Sequence, residues 1–204
     1  MYVPFFVLYV YLNFEKTQST EIIFFILFLV GVLLETTRIS IPLFNLFNTY
    51  SSFLLFCSKA SYFGRLLCLF SFFISSIASE ATKRQDIERN LTITIALSLF
   101  IAILLPQNSG IISHSYNVQT SFEAIMNGFY ISCILLTLTS YILKAKINEH
   151  KEFILTGISQ ILILVGKHVL TFSESIIAII IGSLLMIIGT KLYLDSIHKI
   201  SLWE

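Results

Sequence analysis

The sequence predicts an all-α, polytopic integral membrane helix bundle with seven or eight transmembrane helices. Hydrophobic types make up 56% of its 204 residues, charged types only 12%, and the mean hydropathy is +0.85. A soluble domain is typically about 45–50% apolar and about 25% charged. This composition excludes the class of soluble enzymes. The net charge of +1 offers no basic surface for nucleic acid.

Eight apolar runs follow one another along the chain, and the sequence predicts a single transmembrane domain over residues 1–204. The first run, 2–12, is either a short span, an interfacial helix or the remnant of a longer one. The other seven are close to the roughly 20 residues that a membrane-crossing helix needs. They are predicted at 20–37, 42–58, 61–79, 91–105, 121–143, 153–169 and 172–194.

Breaks between the runs are predicted from proline and polar residues. Pro42 suits the first turn of a new helix because it lacks an N–H group. Lys59 and Ala60 are expected to link two spans, and Pro106 to end another. Residues 106–120 are polar and are predicted to form an external loop.

Small residues recur at helical spacing in the last two spans. Ser175, Gly182 and Gly189 are seven residues apart, as are Ser159 and Gly166. Small residues in register allow two membrane helices to approach closely. Because the connection at 170–173 is short, the two spans are expected to form a tight antiparallel hairpin.

The distribution of Lys and Arg predicts the orientation in the membrane. With eight spans, nine of the 13 cations lie on one side. The four on the other side are Lys16, Lys59, Arg65 and Lys167. The positive-inside rule places the side with nine in the cytoplasm, together with the C-terminus and the loops at 80–90 and 144–152.

Glu35 and Arg38 are three residues apart, so they are neighbours on one helix face. In the eight-span arrangement they lie at the cytoplasmic end of their span. They are predicted to form an ion pair that terminates the helix. The alternative is a pair that gates the cytoplasmic face.

Arg65, Lys167 and His168 are the candidate ligand-binding residues. Each is predicted near the outer end of a long span, where a cation either extends to the lipid headgroups or meets an anion. If their helices are neighbours, they converge on an anionic small molecule or lipid headgroup. Glu123 and Glu174 are not expected to serve as partners, since each follows a Thr at capping-box spacing.

No motif in the sequence indicates a cofactor, a metal site or a catalytic centre. The four histidines lack metal-ligand spacing, and no GxSxG or SxxK pattern marks a nucleophile. Cys57, Cys68 and Cys133 lie in apolar runs and are expected to be reduced and buried. The 19 Phe and 9 Tyr are expected to face lipid and the membrane interfaces.

Three functions remain compatible with these patterns. The favoured one is a small permease, hence transport, or a membrane-embedded small-molecule or lipid-binding protein. The alternatives are a sensory or scaffold subunit that acts through partner proteins, and a lipid-processing enzyme. The pattern favours a non-enzyme because the best intramembrane carboxylates are accounted for as helix caps. Expected partners are the bilayer and an anionic molecule or headgroup.

Overall fold

The protein folds as a bundle of α-helices with one short β-hairpin. The computed structural model describes residues 2–14, 19–42, 51–78, 84–112, 118–120, 122–148, 150–173 and 175–201. Within these residues it has seven α-helices and two strands. They are α1 (Tyr2–Phe14), α2 (Thr20–Glu35), α3 (Ser51–Ile77), α4 (Arg84–Leu104), β1 (Gln107–Ile112), β2 (Val118–Thr120), α5 (Glu123–Asn148), α6 (Glu152–Phe172) and α7 (Ile176–Ser201).

Six helices in the described part of the chain are long and apolar enough to cross a membrane. Five are α3 to α7, and the sixth is α2 with its extension, which together span Thr20–Pro42. The shorter α1 has 13 residues. The chain is therefore a multi-pass integral membrane protein. The total of six spans and α1 roughly agrees with the seven or eight predicted.

The predicted link at Lys59 and Ala60, which separates the spans at 42–58 and 61–79, is wrong; residues 43–50 and 79 of these two spans lie outside the described part of the chain. From Ser51 to Ile77 the chain is one helix, about 40 Å long at 1.5 Å per residue. Lys59 lies inside this helix and donates from Nζ to the carbonyl of Ile103 at 2.8 Å. Because its charge reaches the end of α4, Lys59 can lie within a helix and does not mark a turn between two spans. The chain therefore crosses the membrane once less between the end of α2 and Arg65 than the sequence predicts.

The two ends of the bundle follow from the order of the helices. We call one the Glu35 end; it holds the C-terminal end of α2, the start of α3, the β-hairpin and the α6–α7 turn. Lys59 and Ile103 meet at this end. At the opposite end, Nζ of Lys144 in α5 donates to the carbonyl of Ala78, after α3, at 2.6 Å.

Helix α3 is central and packs against α2, α4, α5 and α6. Helices α6 and α7 form the predicted tight hairpin. A Cβ atom added to Gly182 would lie 3.0 Å from the carbonyl oxygen of Gly166, so the two backbones are in contact. The prediction from the small-residue spacing is confirmed at these two glycines.

Aromatic rings fill the core. Phe25, Phe28, Phe72 and Tyr193 are fully buried, and the rings of Phe28 and Phe72 are stacked at 4.6 Å. The prediction that the aromatic residues face lipid and interfaces is therefore wrong for this group. It assumed that rings belong outside, whereas in this bundle they occupy the volume between α2, α3 and α7. The three cysteines are free and buried, as predicted.

Helix α1 lies along the second half of α7 and runs parallel to it. The hydroxyls of Tyr2 and Thr190 share a hydrogen bond of 2.5 Å, and the rings of Phe14 and His198 are 5.8 Å apart. At about 20 Å, α1 is shorter than the roughly 30 Å hydrocarbon core of a bilayer. It packs against the bundle with one face, and Phe5, Leu8 and Leu12 are exposed on the other.

The polar segment after Pro106 folds back on itself as an antiparallel hairpin. Gln107 pairs with Thr120 and Ile112 with Val118, with an irregularity in the register between Asn108 and Ile112. Helix α5 then begins at Glu123, where the capping box predicts a helix start. The predicted capping contacts of the Glu123 side chain and the whole of Glu174 lie outside the described residues.

Candidate functional site

Glu35 is a buried carboxylate at the end of α2. Its Oε2 lies 2.6 Å from Nζ of Lys167, and its Oε1 lies 3.3 Å from Nε of Arg65. The hydroxyl of Thr171 donates to the same Oε1 at 3.0 Å. The side chains of Glu35 and Lys167 are only 7% and 6% exposed, and that of Arg65 is 14% exposed. Cations and hydrogen-bond donors on both oxygens offset the cost of removing the carboxylate from water.

Close contact between α2 and α3 brings Glu35 to Arg65. A Cβ atom on Gly64 would lie 2.5 Å from the carbonyl oxygen of Gly31 and 2.6 Å from the amide nitrogen of Glu35. Only a residue without a side chain allows the backbones to meet there. Since Arg65 follows Gly64 directly, its side chain begins next to the carboxylate.

The α6–α7 contact positions the other cation in the same way. Lys167 directly follows Gly166, whose added Cβ atom would lie 2.8 Å from the carbonyl oxygen of Gly182. Each buried cation therefore sits one residue after a glycine at a helix crossing. This local pattern is visible in the sequence.

Arg38 lies one turn beyond Glu35, on the 3₁₀ turn that extends α2. Its guanidinium donates to the carbonyls of Thr171 at 3.2 Å and Leu170 at 3.4 Å. The last carbonyls of a helix lack partners within that helix. Arg38 therefore caps the end of α6 and links it to the end of α2.

The cluster brings three cations to one end of the bundle. Among the described residues, Lys167 and Arg65 pair with Glu35, whereas the guanidinium of Arg38 is bonded to backbone carbonyls. Uncompensated charge at membrane depth is costly, and such residues face water, a headgroup or an anion. Arg38 therefore attracts an anion.

A pocket of about 130 Å³ opens beside the cluster. We call it the Arg38 pocket. It lies between α2 and the α6–α7 hairpin, and its lining combines charged, hydroxyl and apolar side chains. The lining residues are Val32, Glu35, Thr36, Arg38, Ile39, Lys167, Leu170, Thr171 and Met186.

A smaller pocket, of about 30 Å³, lies on the other side of the ion pairs and includes Arg65 and His168 in its lining. The guanidinium carbon of Arg65 lies 4.9 Å from the ring centre of Phe172 and 5.3 Å from that of Tyr62. His168 lies 4.5 Å from Phe172, ring centre to ring centre. The guanidinium of Arg65 therefore makes cation–π contacts with these two rings as well as its ion pair with Glu35.

The structure gathers the residues singled out in the sequence at one end. Arg65 and Lys167 contact the same carboxylate, and His168 adjoins them on the smaller pocket. The prediction that Glu35 and Arg38 lie at the opposite end is wrong. It depended on the two spans that the structure replaces with α3.

Sequence reasoning did not identify Glu35 as the carboxylate shared by Arg65 and Lys167, or Thr171 as its hydroxyl donor. The signal that could have found Glu35 is its position four residues after Gly31, on the helix face that meets Gly64. No comparable signal marks Thr171. Its spacing from Glu174 predicts only a capping box at the start of the last span.

The described residues contain no group of three His, Cys, Asp or Glu side chains close enough to hold a metal ion. What the cluster offers is ion pairing and hydrogen bonding. Comparison of the chain with protein-family models, with curated proteins and with solved structures finds no match.

Proposed function

We propose that the protein is a membrane-embedded binding protein for an anionic ligand, a small molecule or a lipid headgroup, held in the Arg38 pocket. One observation carries the proposal. The guanidinium of Arg38 is bonded to backbone carbonyls and lines an open pocket, beside two cations that pair with Glu35. An anion bound there would compensate the positive charge of Arg38.

Arg38 is the residue best placed to contact the ligand. Arginine has five N–H donors, and two of them are used on the carbonyls of Leu170 and Thr171. The others remain for a ligand in the pocket that Arg38 lines. Lys167 adds charge from the inner wall, and Arg65 contributes from the other side of Glu35.

Orientation is the second part of the proposal. With six spans, Lys16 joins the side that holds the C-terminus and Arg38 moves to the Glu35 end, so the division of the 13 cations stays nine to four. The positive-inside rule then supports a cytoplasmic C-terminus. The Arg38 pocket would face the outer side.

Translocation of the ligand is a further step that a permease would add. Transporters commonly carry broken helices near the middle of the membrane. Gly128, Gly157, Gly166 and Gly182 are the candidate sites of such breaks, and α5, α6 and α7 are continuous through them. We therefore propose binding as the function, with transport to be assayed separately.

Anion-dependent thermal stabilisation of the purified protein in detergent tests this proposal. Phosphate or a carboxylate should raise the melting temperature of the wild type, because a ligand that binds only the folded state stabilises it. Arg38→Gln should lose the response. Lys59→Gln removes the same charge from the same end, at an exposed side chain outside the pocket, and should keep it.

A melting temperature that responds equally in the wild type and in Arg38→Gln would contradict the proposal. So would a lack of response to every anion tested, phospholipids included. Where an anion does stabilise the wild type, its uptake into vesicles containing the protein would distinguish a permease from a binding protein.

A further inference from the structure

We infer that the ligand of the Arg38 pocket is an anionic phospholipid, whose phosphate contacts Arg38 and whose acyl chain lies against the apolar side chains at the mouth of the pocket. The inference rests on the proposed function and specifies its ligand. Four observations carry it: the size of the pocket, its apolar lining, its depth and its charge.

The pocket is too small for a typical soluble metabolite. Sites that enclose drug-sized ligands measure about 300–1,000 Å³, whereas the Arg38 pocket measures about 130 Å³. A phosphate group fits this volume, but the rest of a larger molecule must remain outside. In a membrane, the surroundings of the pocket are lipid.

Apolar side chains form part of the pocket lining. Val32 and Ile39 lie on the α2 side, and Leu170 and Met186 on the hairpin side. Ile39 is 64% exposed, so apolar surface continues from the pocket toward the surrounding lipid on the α2 side. An acyl chain would lie against this surface.

Depth in the membrane also suits a phosphate. Arg38 lies four residues before the end of the 23-residue span Thr20–Pro42, roughly 6 Å along a helix. Lys167 lies five residues before the end of its own span at Phe172. Headgroups occupy the layer just outside the hydrocarbon core. A lipid in this position would keep both its phosphate and its chain at their usual depths.

Charge selects among phospholipids. Two cations, Arg38 and Lys167, line the pocket, and the guanidinium of Arg38 is bonded to backbone carbonyls. A zwitterionic headgroup would bring its own cation close to Arg38 and Lys167, which costs energy at short range. An anionic headgroup brings none, and its phosphate oxygens accept from the guanidinium with favourable geometry.

The experiment compares two phospholipids with identical chains, phosphatidylglycerol and phosphatidylcholine, together with inorganic phosphate. Binding to the purified protein in detergent is measured by native mass spectrometry and by thermal shift. Phosphatidylglycerol should bind about tenfold or more tighter than phosphatidylcholine. Arg38→Gln should remove this preference, since one hydrogen bond to a charged group contributes that much. Lys59→Gln should retain it.

A second variant tests whether the acyl chain contacts the apolar lining of the pocket. Val32→Trp places a large ring at the pocket wall, where the acyl chain would enter, and should weaken phosphatidylglycerol binding about tenfold. If Arg38→Gln fails to fold, this variant and the wild-type lipid preference still decide the inference.

Two results would overturn the lipid inference. One is equal affinity of the wild type for both phospholipids, and the other is unchanged phosphatidylglycerol binding in Val32→Trp. If inorganic phosphate still stabilised the wild type and not Arg38→Gln, the proposed anion site would stand without a lipid. If neither phosphate source distinguished these two proteins, both proposals would fail.

Discussion

At the scale of single residues, the buried Glu35 carboxylate organises the Glu35 end of the bundle. It receives Lys167, Arg65 and Thr171, which come from two different helices. Buried ion pairs contribute little net stability when intact, because desolvation offsets the attraction. Removing one partner is different, since it leaves a charge buried without compensation. Glu35 is thus expected to matter more for stability than its single charge suggests.

We expect Glu35→Gln to destabilise the protein by about 3–5 kcal/mol, the range for breaking a buried pair. The amide would remove the negative charge that Lys167 and Arg65 both contact. Thermal unfolding in detergent measures the effect. Glu152→Gln is the matched control, because Glu152 pairs with Lys199 at an exposed position, 3.9 Å apart, and should cost at most about 1 kcal/mol.

The double variant Glu35→Gln/Lys167→Met should recover part of the lost stability, since it also removes the buried cation that faces Glu35. A Glu35→Gln protein as stable as the wild type would show that the carboxylate does not stabilise the buried charge of Lys167.

At the scale of helices, glycine contacts determine which residues meet. Gly31 and Gly64 bring α2 and α3 together, and Gly166 and Gly182 do the same for α6 and α7. The first contact places Arg65 beside Glu35 and the second places Lys167 there. Because the ion pairs depend on backbones in contact, the site should be sensitive to methyl groups added well away from its charges.

Gly64→Ala tests this dependence. Its methyl group would lie 2.5 Å from a backbone oxygen of α2 and 2.6 Å from a backbone nitrogen, and backbone atoms cannot rotate away. Overpacking of this kind costs about 1–3 kcal/mol. The melting temperature should fall, and the anion response of the Arg38 pocket should weaken with it.

Gly128→Ala is the control for this prediction. A methyl group at Gly128 meets no heavy atom within 4 Å, and alanine favours a helix over glycine. This variant should be as stable as the wild type or slightly more so. If Gly64→Ala behaved in the same way, α2 and α3 would not be in contact at this position.

At the scale of the whole molecule, composition and run length were enough to predict a multi-pass helical membrane protein. They predicted the α6–α7 hairpin as well, because its small residues repeat at a fixed spacing. The division into spans was less accurate. Lys59 and Ala60 resemble a link in the sequence, but the flanking Ser58 and Ser61 are buried in α3 and Lys59 reaches the end of α4.

That single error placed Glu35 and Arg65 at opposite ends of the bundle. The candidate cations Arg65 and Lys167 could be chosen from sequence because charges are rare inside apolar runs. Their partner could not be, since pairing depends on which helices are neighbours. Hydropathy along the chain carries no information on neighbours when the number of crossings is off by one.

Orientation in the membrane follows from the same count of crossings and can be measured with engineered cysteines. Cys57, Cys68 and Cys133 are all buried, so a membrane-impermeant thiol reagent should not label the wild type. Gly110→Cys places a thiol in the β-hairpin at the Glu35 end. His150→Cys places one between α5 and α6, at the opposite end.

In intact cells, Gly110→Cys should be labelled at once, and His150→Cys only after the membrane is permeabilised. The reason is the division of cations, nine at the end that holds His150 and four at the end that holds the hairpin. The reverse pattern would place the Arg38 pocket at the cytoplasmic side of the membrane, and the proposed phospholipid would then belong to the inner leaflet. Labelling of both positions in intact cells would instead contradict the six-span arrangement, since an odd number of spans separates the two sites.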